Sequence, residues 1–508
     1  MSIASWIDKH AAFTPGKAAL VFEGETITYA ALARRIEERT GELSGRFGLS
    51  QGDRVAYLGH NSPEFLILLF ACARHGAIFL PLNWRLAPEE HGFILSDAGA
   101  KLLIAEPAFH PGAENLRHDL PDCRFVSTAP SGPDWACLGQ SVAAERHVDD
   151  GKPEDAVLLV YTSGTTGYPK GAVLTQDALQ WNAFNSLHMH DMTSQDRILS
   201  VLPMFHVGGL NIQTLPALYA GGTVYLHAKF DPAETLAAIA RDRPDLTVLV
   251  PATMAAVLAH ADFQETDLSS LRSLTTGSST VPKSLILAFH NRSIPVLQVY
   301  GSTETCPIAV YLKPEDAFRH LGTTGKPGLH CEMKIIDNAG RTVRPGEAGE
   351  IAIKGPNIMR EYWNNPQATA DALKEGWFFT GDIGFIDPDG YLVVNDRKKD
   401  VIISGGENIY PAEVERLLMD MDDIAQAVVV GEADEKWGEV PVAVVVPTAG
   451  CHLDVTEIMA RFSGRIARFK HPKRIHVADS LPVNAMGKIQ RFAVRELLLA
   501  DNFFKTGT

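Results

Sequence analysis

Between Tyr161 and Gly171 the chain reads Tyr-Thr-Ser-Gly-Thr-Thr-Gly-Tyr-Pro-Lys-Gly. Three glycines (Gly164, Gly167, Gly171), four hydroxyl side chains (Thr162, Ser163, Thr165, Thr166) and Lys170 are the parts of a phosphate-handling loop. Glycine lets the backbone come close to an anion, hydroxyls and N–H groups surround its oxygens, and lysine adds a mobile positive charge. The apolar run 156–160 ahead of the loop predicts a buried strand, and the small, apolar spacing from Ala172 onward predicts the start of a helix. The loop is not a Walker A motif, because Tyr168 and Pro169 separate Gly167 from Lys170 and Gly171 follows the lysine. A kinase or P-loop ATPase is therefore disfavoured, and a flexible surface loop is the plain alternative.

Four further segments carry chemistry. Gln298-Val-Tyr-Gly-Ser-Thr-Glu-Thr305 holds an acid, Glu304, suited to a hard cation such as Mg²⁺, beside the Thr303 hydroxyl. Thr380-Gly-Asp382 carries a carboxylate able to accept from paired hydroxyls, and Arg397 is a donor further along the chain. Asp396-Arg-Lys-Lys-Asp400 is a charged pentapeptide, and Leu481-Pro-Val-Asn-Ala-Met-Gly-Lys-Ile489 presents Lys488 after a glycine turn. Taken singly, these would be a surface acid, a turn aspartate, a charge run and a solvated lysine. Together with the first loop, in this order, they resemble the adenylate-forming superfamily: acyl-CoA synthetases, peptide-synthetase adenylation domains and beetle luciferases.

The resemblance implies an α/β fold. A large N-terminal domain (1–395) would hold mixed and parallel sheets with helices plus a β-rich closing part. A hinge (396–400, turning at Lys399) would lead to a small mobile α+β domain (401–508). It implies ATP, Mg²⁺ and CoA as cofactors or co-substrates. Thr162, Ser163, Gly164, Thr165, Thr166, Gly167 and Lys170 would attend the phosphates, with Lys170 following the departing pyrophosphate. Tyr300, Gly301 and Ser302 would border the adenine and α-phosphate, with Gly277, Ser278 and Ser279 on the other side of the adenine slot. Asp382 and Arg397 would bind ribose, Glu304 the metal, and Lys488 would bridge carboxylate and phosphate oxygens. His206, in Pro203-Met-Phe-His-Val-Gly-Gly-Leu210, would border the acyl pocket, although a hydrogen-bonded core histidine is the plainer reading. The family often has a basic residue where this chain has Val483.

For CoA, Ser404, Gly405 and Gly406 resemble the glycine turn that accompanies pantetheine. Arg461, Arg465, Arg468, Lys470, Lys473 and Arg474 form an acid-free run in a chain of net charge −15. That local reversal suits the phosphates of CoA, and equally the solvated face of a basic helix over 458–469. Trp437 fits beside the CoA nucleotide or as a structural indole. Trp181, Phe184, Leu210, Val299 and the run 306–308 offer apolar surface for the acid. No arginine in 203–216 is placed to hold a second carboxylate, so an apolar monocarboxylate, fatty or aromatic, is favoured.

The rest of the chain fits this reading. Its 508 residues allow more than one domain, and the negative net charge argues against nucleic acid as a partner. Six scattered cysteines suit a reducing compartment. No apolar run reaches the ~18 residues needed to span a bilayer, and the first ten residues lack a signal-peptide pattern. The expectation is a cytoplasmic enzyme with a small-molecule carboxylic acid as partner and no integral membrane segment; a homodimer is left open.

Alternation of helical and strand patterns over 27–106 and again to 299 predicts βαβ units, with a loop-rich excursion over 107–154. Antiparallel β texture starts near 334. The predicted activity is AMP-forming acid–CoA ligation. The alternatives are a stand-alone adenylation enzyme that loads a carrier protein, a luciferase-like oxygenase and a non-catalytic nucleotide-binding regulator.

Overall fold

The computed structural model describes residues 2–130, 135–139, 151–162, 169–278, 281–397, 400–404, 407–434, 437–462, 465–466, 468–484 and 488–499. Ser163, Gly164, Thr165, Thr166, Gly167, Ser279, Lys399, Gly405 and Gly406 lie outside these residues.

The alternating pattern of the first 300 residues builds two large sheets. In one, the strands Ala18–Phe22, Thr223–Leu226, Arg197–Ser200, Leu246–Val248, Ser273–Thr276 and Val296–Tyr300 lie side by side and parallel. Antiparallel strands close its edges. In the other, Ala156–Thr162, Ile78–Pro81, Arg54–Leu58, Leu102–Ala105 and Arg124–Ser127 run parallel. Arg124–Ser127, with Ala136–Cys137 beside it, adds strands inside the segment expected to be loop-rich.

Helix Pro63–His75 shows why these elements form where they do. Ser62 caps its start by accepting from the Phe65 N–H at 3.4 Å, and Gly76 ends it at φ +81°. Every residue from Phe65 to His75 is buried, so the helix is apolar all round and belongs in the main core.

One element differs from expectation at the most informative place. The segment after Gly171 is not a helix: Lys170–Thr175 is a strand, antiparallel to Ala156–Thr162, with Thr162 opposite Lys170. Small apolar residues suit either state, and the ladder to a buried neighbour decided it. The helix begins at Gln176, capped by Thr175.

A third sheet, antiparallel, contains Glu332–Ile336, Gly349–Lys354, Trp377–Ile386 and Leu392–Arg397. A fourth holds Ile402–Ser404, Gly438–Pro447, Ile424–Asp434 and Arg474–Val477. Its valine-rich strands are buried on both faces. Val429, Ala443 and Val445 pack with Val414 and Leu418 of helix Pro411–Met419, while Val428, Val430 and Val444 pack with Val494 of helix Arg491–Leu499. The expected basic helix over 458–469 is not continuous: the helix is Val455–Ala460, and Arg468–Lys470 forms a separate 3₁₀ turn.

Candidate active site

The parallel strands end at one edge of the nine-stranded sheet, and the segments that follow them carry the expected adenine, α-phosphate and metal residues. Ligands in such sheets bind beyond the carboxyl ends of the strands. Ser273–Thr276 leads into Gly277 and Ser278, and the adjacent Val296–Tyr300 leads into Gly301 and Ser302. Both glycines are obligatory for space. A Cβ on Gly301 would lie 1.7 Å from the Pro307 carbonyl oxygen, and one on Gly277 would lie 2.6 Å from that of Val299.

The 3₁₀ turn Thr303–Thr305 then sets Glu304 inward, 9% exposed. Asn357, fully buried, braces the segment by donating to the Thr305 and Ile308 carbonyls at 2.7 and 3.2 Å. Tyr362 donates its hydroxyl to Glu304 Oε1 at 2.7 Å, and no cation pairs with this acid among the described residues. A buried carboxylate without a positive partner is costly, so the donor set fits a hard divalent cation bound with phosphate oxygens. Among the described residues, neither the buried Ser302 Oγ nor Thr276 Oγ1 has a hydrogen-bond partner. Unmet polar atoms of this kind suit a polar ligand such as a nucleotide.

Asp382, 8% exposed, accepts from the Tyr300 hydroxyl at 2.8 Å. Arg397 lies opposite Asp382 in the strand pair. Tertiary structure thus joins the expected adenine and ribose residues directly. Lys170 stands at the mouth of its hairpin, with its Nζ 5.5 Å from the centroid of the Tyr362 ring.

His206 precedes the short helix Val207–Asn211. Its Nε2 is enclosed with no partner among the described residues although the residue keeps some exposure, and burial, reinforced by the charge of Arg85, lowers its pKa to about 4. The ring is neutral near pH 7. A Cβ added at the neighbouring Gly208 would meet nothing closer than 4.0 Å. Asn182, on the helix that also bears Trp181 and Phe184, donates to the Asn211 carbonyl at 2.7 Å. Leu210, Val299, Cys306 and Ile308 are core residues behind the site.

The expected CoA residues form a second group. Ser404 stands opposite Gly438 in the fourth sheet, next in sequence to Trp437, which is 42% exposed. Lys470 donates to both carboxylate oxygens of Glu413 at 2.7 and 2.8 Å, and Arg474 pairs with Glu432. Lys473 is exposed, with no carboxylate partner among the described residues. Lys488 lies in a turn where its N–H donates to Asn484 Oδ1 at 3.0 Å and its carbonyl accepts from the Asn484 N–H at 2.8 Å.

Asn357 and Tyr362 escaped the sequence reading. Neither stands in a glycine-rich or charged motif, and the partners that give them meaning lie 52 and 58 residues away.

Comparison with known proteins agrees with this geometry. Residues 7–363 match the AMP-binding enzyme family and residues 413–488 the AMP-binding enzyme C-terminal domain. The chain is 49% identical over 509 residues to an indoleacetate–CoA ligase of Aromatoleum aromaticum, covering 99% of this chain and 100% of that protein. It is 40% identical over 500 residues to a feruloyl-CoA synthase of an Amycolatopsis species, covering 97% and 98%. Among solved structures, o-succinylbenzoate CoA synthetase of Bacillus subtilis, determined with ATP and magnesium ion, superposes with a TM-score of 0.87 at 34% identity, over 96% of this chain and 99% of that one. Its structure with the acyl-adenylate intermediate gives the same score. The chain belongs to the AMP-binding enzyme family, among the CoA ligases.

Proposed function

We propose that this protein is an AMP-forming ligase that joins an aromatic monocarboxylic acid to CoA. The observation that carries the reading is the convergence of Tyr300, Ser302, Glu304 and Asp382 at the carboxyl edge of the parallel sheet, with a buried acid that has no cation partner among the described residues.

In the first step a carboxylate oxygen of the acid attacks the α-phosphorus of ATP, forming acyl-AMP as the bond to pyrophosphate breaks. In the second, the CoA sulfur attacks the acyl carbon and AMP leaves. Asp382 holds the ribose, Tyr300 lies against adenine, and Thr303 donates to the α-phosphate. Lys170, with Thr162, Ser163, Gly164, Thr165, Thr166 and Gly167, surrounds the outer phosphates. Glu304 would hold Mg²⁺, which supplies charge neutralisation on the triphosphate. Lys488 bridges the two anions during adenylation. Because Lys488 and the Ser404–Gly406 turn share the C-terminal part, rotation about Lys399 would exchange them between steps.

An aromatic acid is favoured by the two relatives named for aromatic acids. A cytoplasmic location belongs to the same reading; the structure itself shows only that no helix among the described residues is long and apolar enough to cross a membrane.

The test is ATP–pyrophosphate exchange across arylacetic, cinnamic, medium-chain and long-chain acids, followed by product analysis with CoA and with a phosphopantetheinylated carrier protein. Fastest exchange with an aromatic acid and a CoA thioester product are expected. Preference for fatty acids overturns the substrate class, and a carrier-only product overturns the acceptor.

A further inference from the structure

The segment 359–363 touches both halves of the phosphate site. Met359 N–H donates to the Glu304 carbonyl at 2.7 Å, Arg360 N–H to that of Val173 at 2.9 Å, and Trp363 N–H to that of Gly171 at 2.7 Å. Between them, strand Glu361–Tyr362 pairs with the strand that carries Lys170, with Tyr362 opposite Ala172. Tyr362 then makes the two side-chain contacts described above: its hydroxyl to Glu304 Oε1, and its ring face to the Lys170 ammonium.

Lys170 and Glu304 have opposite charges and share this neighbour, yet no ion pair joins them. A direct salt bridge would consume the two charges that a metal–triphosphate complex needs. A tyrosine between them holds each by a weaker contact, a hydrogen bond on one side and a cation–π contact on the other. It also occupies Oε1 and leaves Oε2 of Glu304 for the cation.

We infer that Tyr362 is a positioning residue that couples the phosphate loop to the metal-binding carboxylate, aiming Glu304 through its hydroxyl and retaining Lys170 on its ring. This rests on the reading of Glu304 as the Mg²⁺ ligand given above.

The experiment measures Mn²⁺ binding, by electron paramagnetic resonance, to the full chain carrying a non-hydrolysable ATP analogue. Analogue affinity without metal and thermal melting of the free protein are recorded alongside. Tyr362→Phe keeps the ring and removes the hydroxyl, so Mn²⁺ affinity should fall about tenfold, as for a lost hydrogen bond to a charged group. Metal-free analogue affinity should hold. Tyr362→Leu should weaken both.

If Tyr362→Phe lowers only the melting temperature, the residue is structural and the inference is overturned. Glu304→Gln separates the two levels. Loss of Mn²⁺ binding there, with Tyr362→Phe unaffected, overturns the coupling alone; no loss there overturns the metal-site reading and the coupling with it. In the Glu304→Gln background, Tyr362→Phe should cause no further loss of metal affinity.

Discussion

The proposed nucleotide end of the large sheet and the cation-bearing segment 461–474 of the C-terminal part, proposed to meet CoA, would face the same task, anionic ligands on a chain of net charge −15, in opposite ways. At the nucleotide end the charges are few and buried. Glu304 and Asp382 are each 9% exposed or less, and each accepts from a tyrosine hydroxyl at 2.7–2.8 Å. In the C-terminal part the cations are many, exposed apart from the half-buried Lys470, and spread over a turn, a 3₁₀ segment and a strand. Two of them, Lys470 and Arg474, are paired with Glu413 and Glu432. Buried groups held by hydrogen bonds fix geometry, whereas exposed charges are screened and contribute mainly to encounter and modest affinity. A run of cations in sequence therefore overstates the field that the folded face presents.

The contrast can be tested from its strongest consequence downward. Lys488→Ala should lower acyl-adenylate formation by ~10²–10³, the loss typical of one preorganised contact to developing charge. Conversion of supplied acyl-AMP to acyl-CoA should be spared. Separate rates for the two half-reactions check this, and equal losses would remove Lys488 from the adenylation step.

Acid should weaken the large part before the C-terminal part. His190 is fully buried, and desolvation lowers its pKa to about 4, as it does for His206. A histidine whose folded pKa lies below its unfolded value of about 6.5 favours the fold fully above that value. Stability from both rings is then lost as pH falls from 6.5 towards 4, by at most ~3 kcal/mol each. Hydrogen exchange at pH 7 and pH 5 should show faster opening around Gln176–His190 and Val207–Asn211 at the lower pH. Equal acceleration in Ile424–Asp434 would erase the difference between the two regions.

The smallest effect concerns CoA. Lys473→Ala should raise the KM for CoA by about fivefold, the scale of one surface charge near a phosphate. Lys470→Ala should change it less, because Glu413 already balances that charge; its cost should appear as a small loss of stability instead. Steady-state kinetics at two salt concentrations would decide, and a larger effect at Lys470 would reverse the assignment.

Much of the scaffold was legible from periodicity. The alternating strands and helices over 27–106 and on to 299, and the antiparallel strands that follow from Glu332 onward, fall where apolar spacing and turn residues place them. The identities of Glu304, Asp382 and Lys170 were legible too, because each stands in a motif whose composition states its chemistry. Lys170–Thr175 was not, since its residues tolerate helix and strand alike and only pairing with a buried neighbour chose between them. The end of the helix at Ala460 within the basic run was not legible either, because charge spacing alone does not report where a short helix stops.

What the sequence by itself determined, then, is the inventory and its order: which residues carry charge, which glycines allow close approach, and which segments bury apolar faces. Tertiary structure alone decided the partnerships. Tyr300 reaches Asp382 across 82 residues, Tyr362 reaches Glu304 across 58, and Lys470 meets Glu413 across 57. Local patterns repeat every two to four residues and carry no record of such distances. Hydrogen bonds between remote side chains exist only once sheets and core have set the backbones within reach of one another.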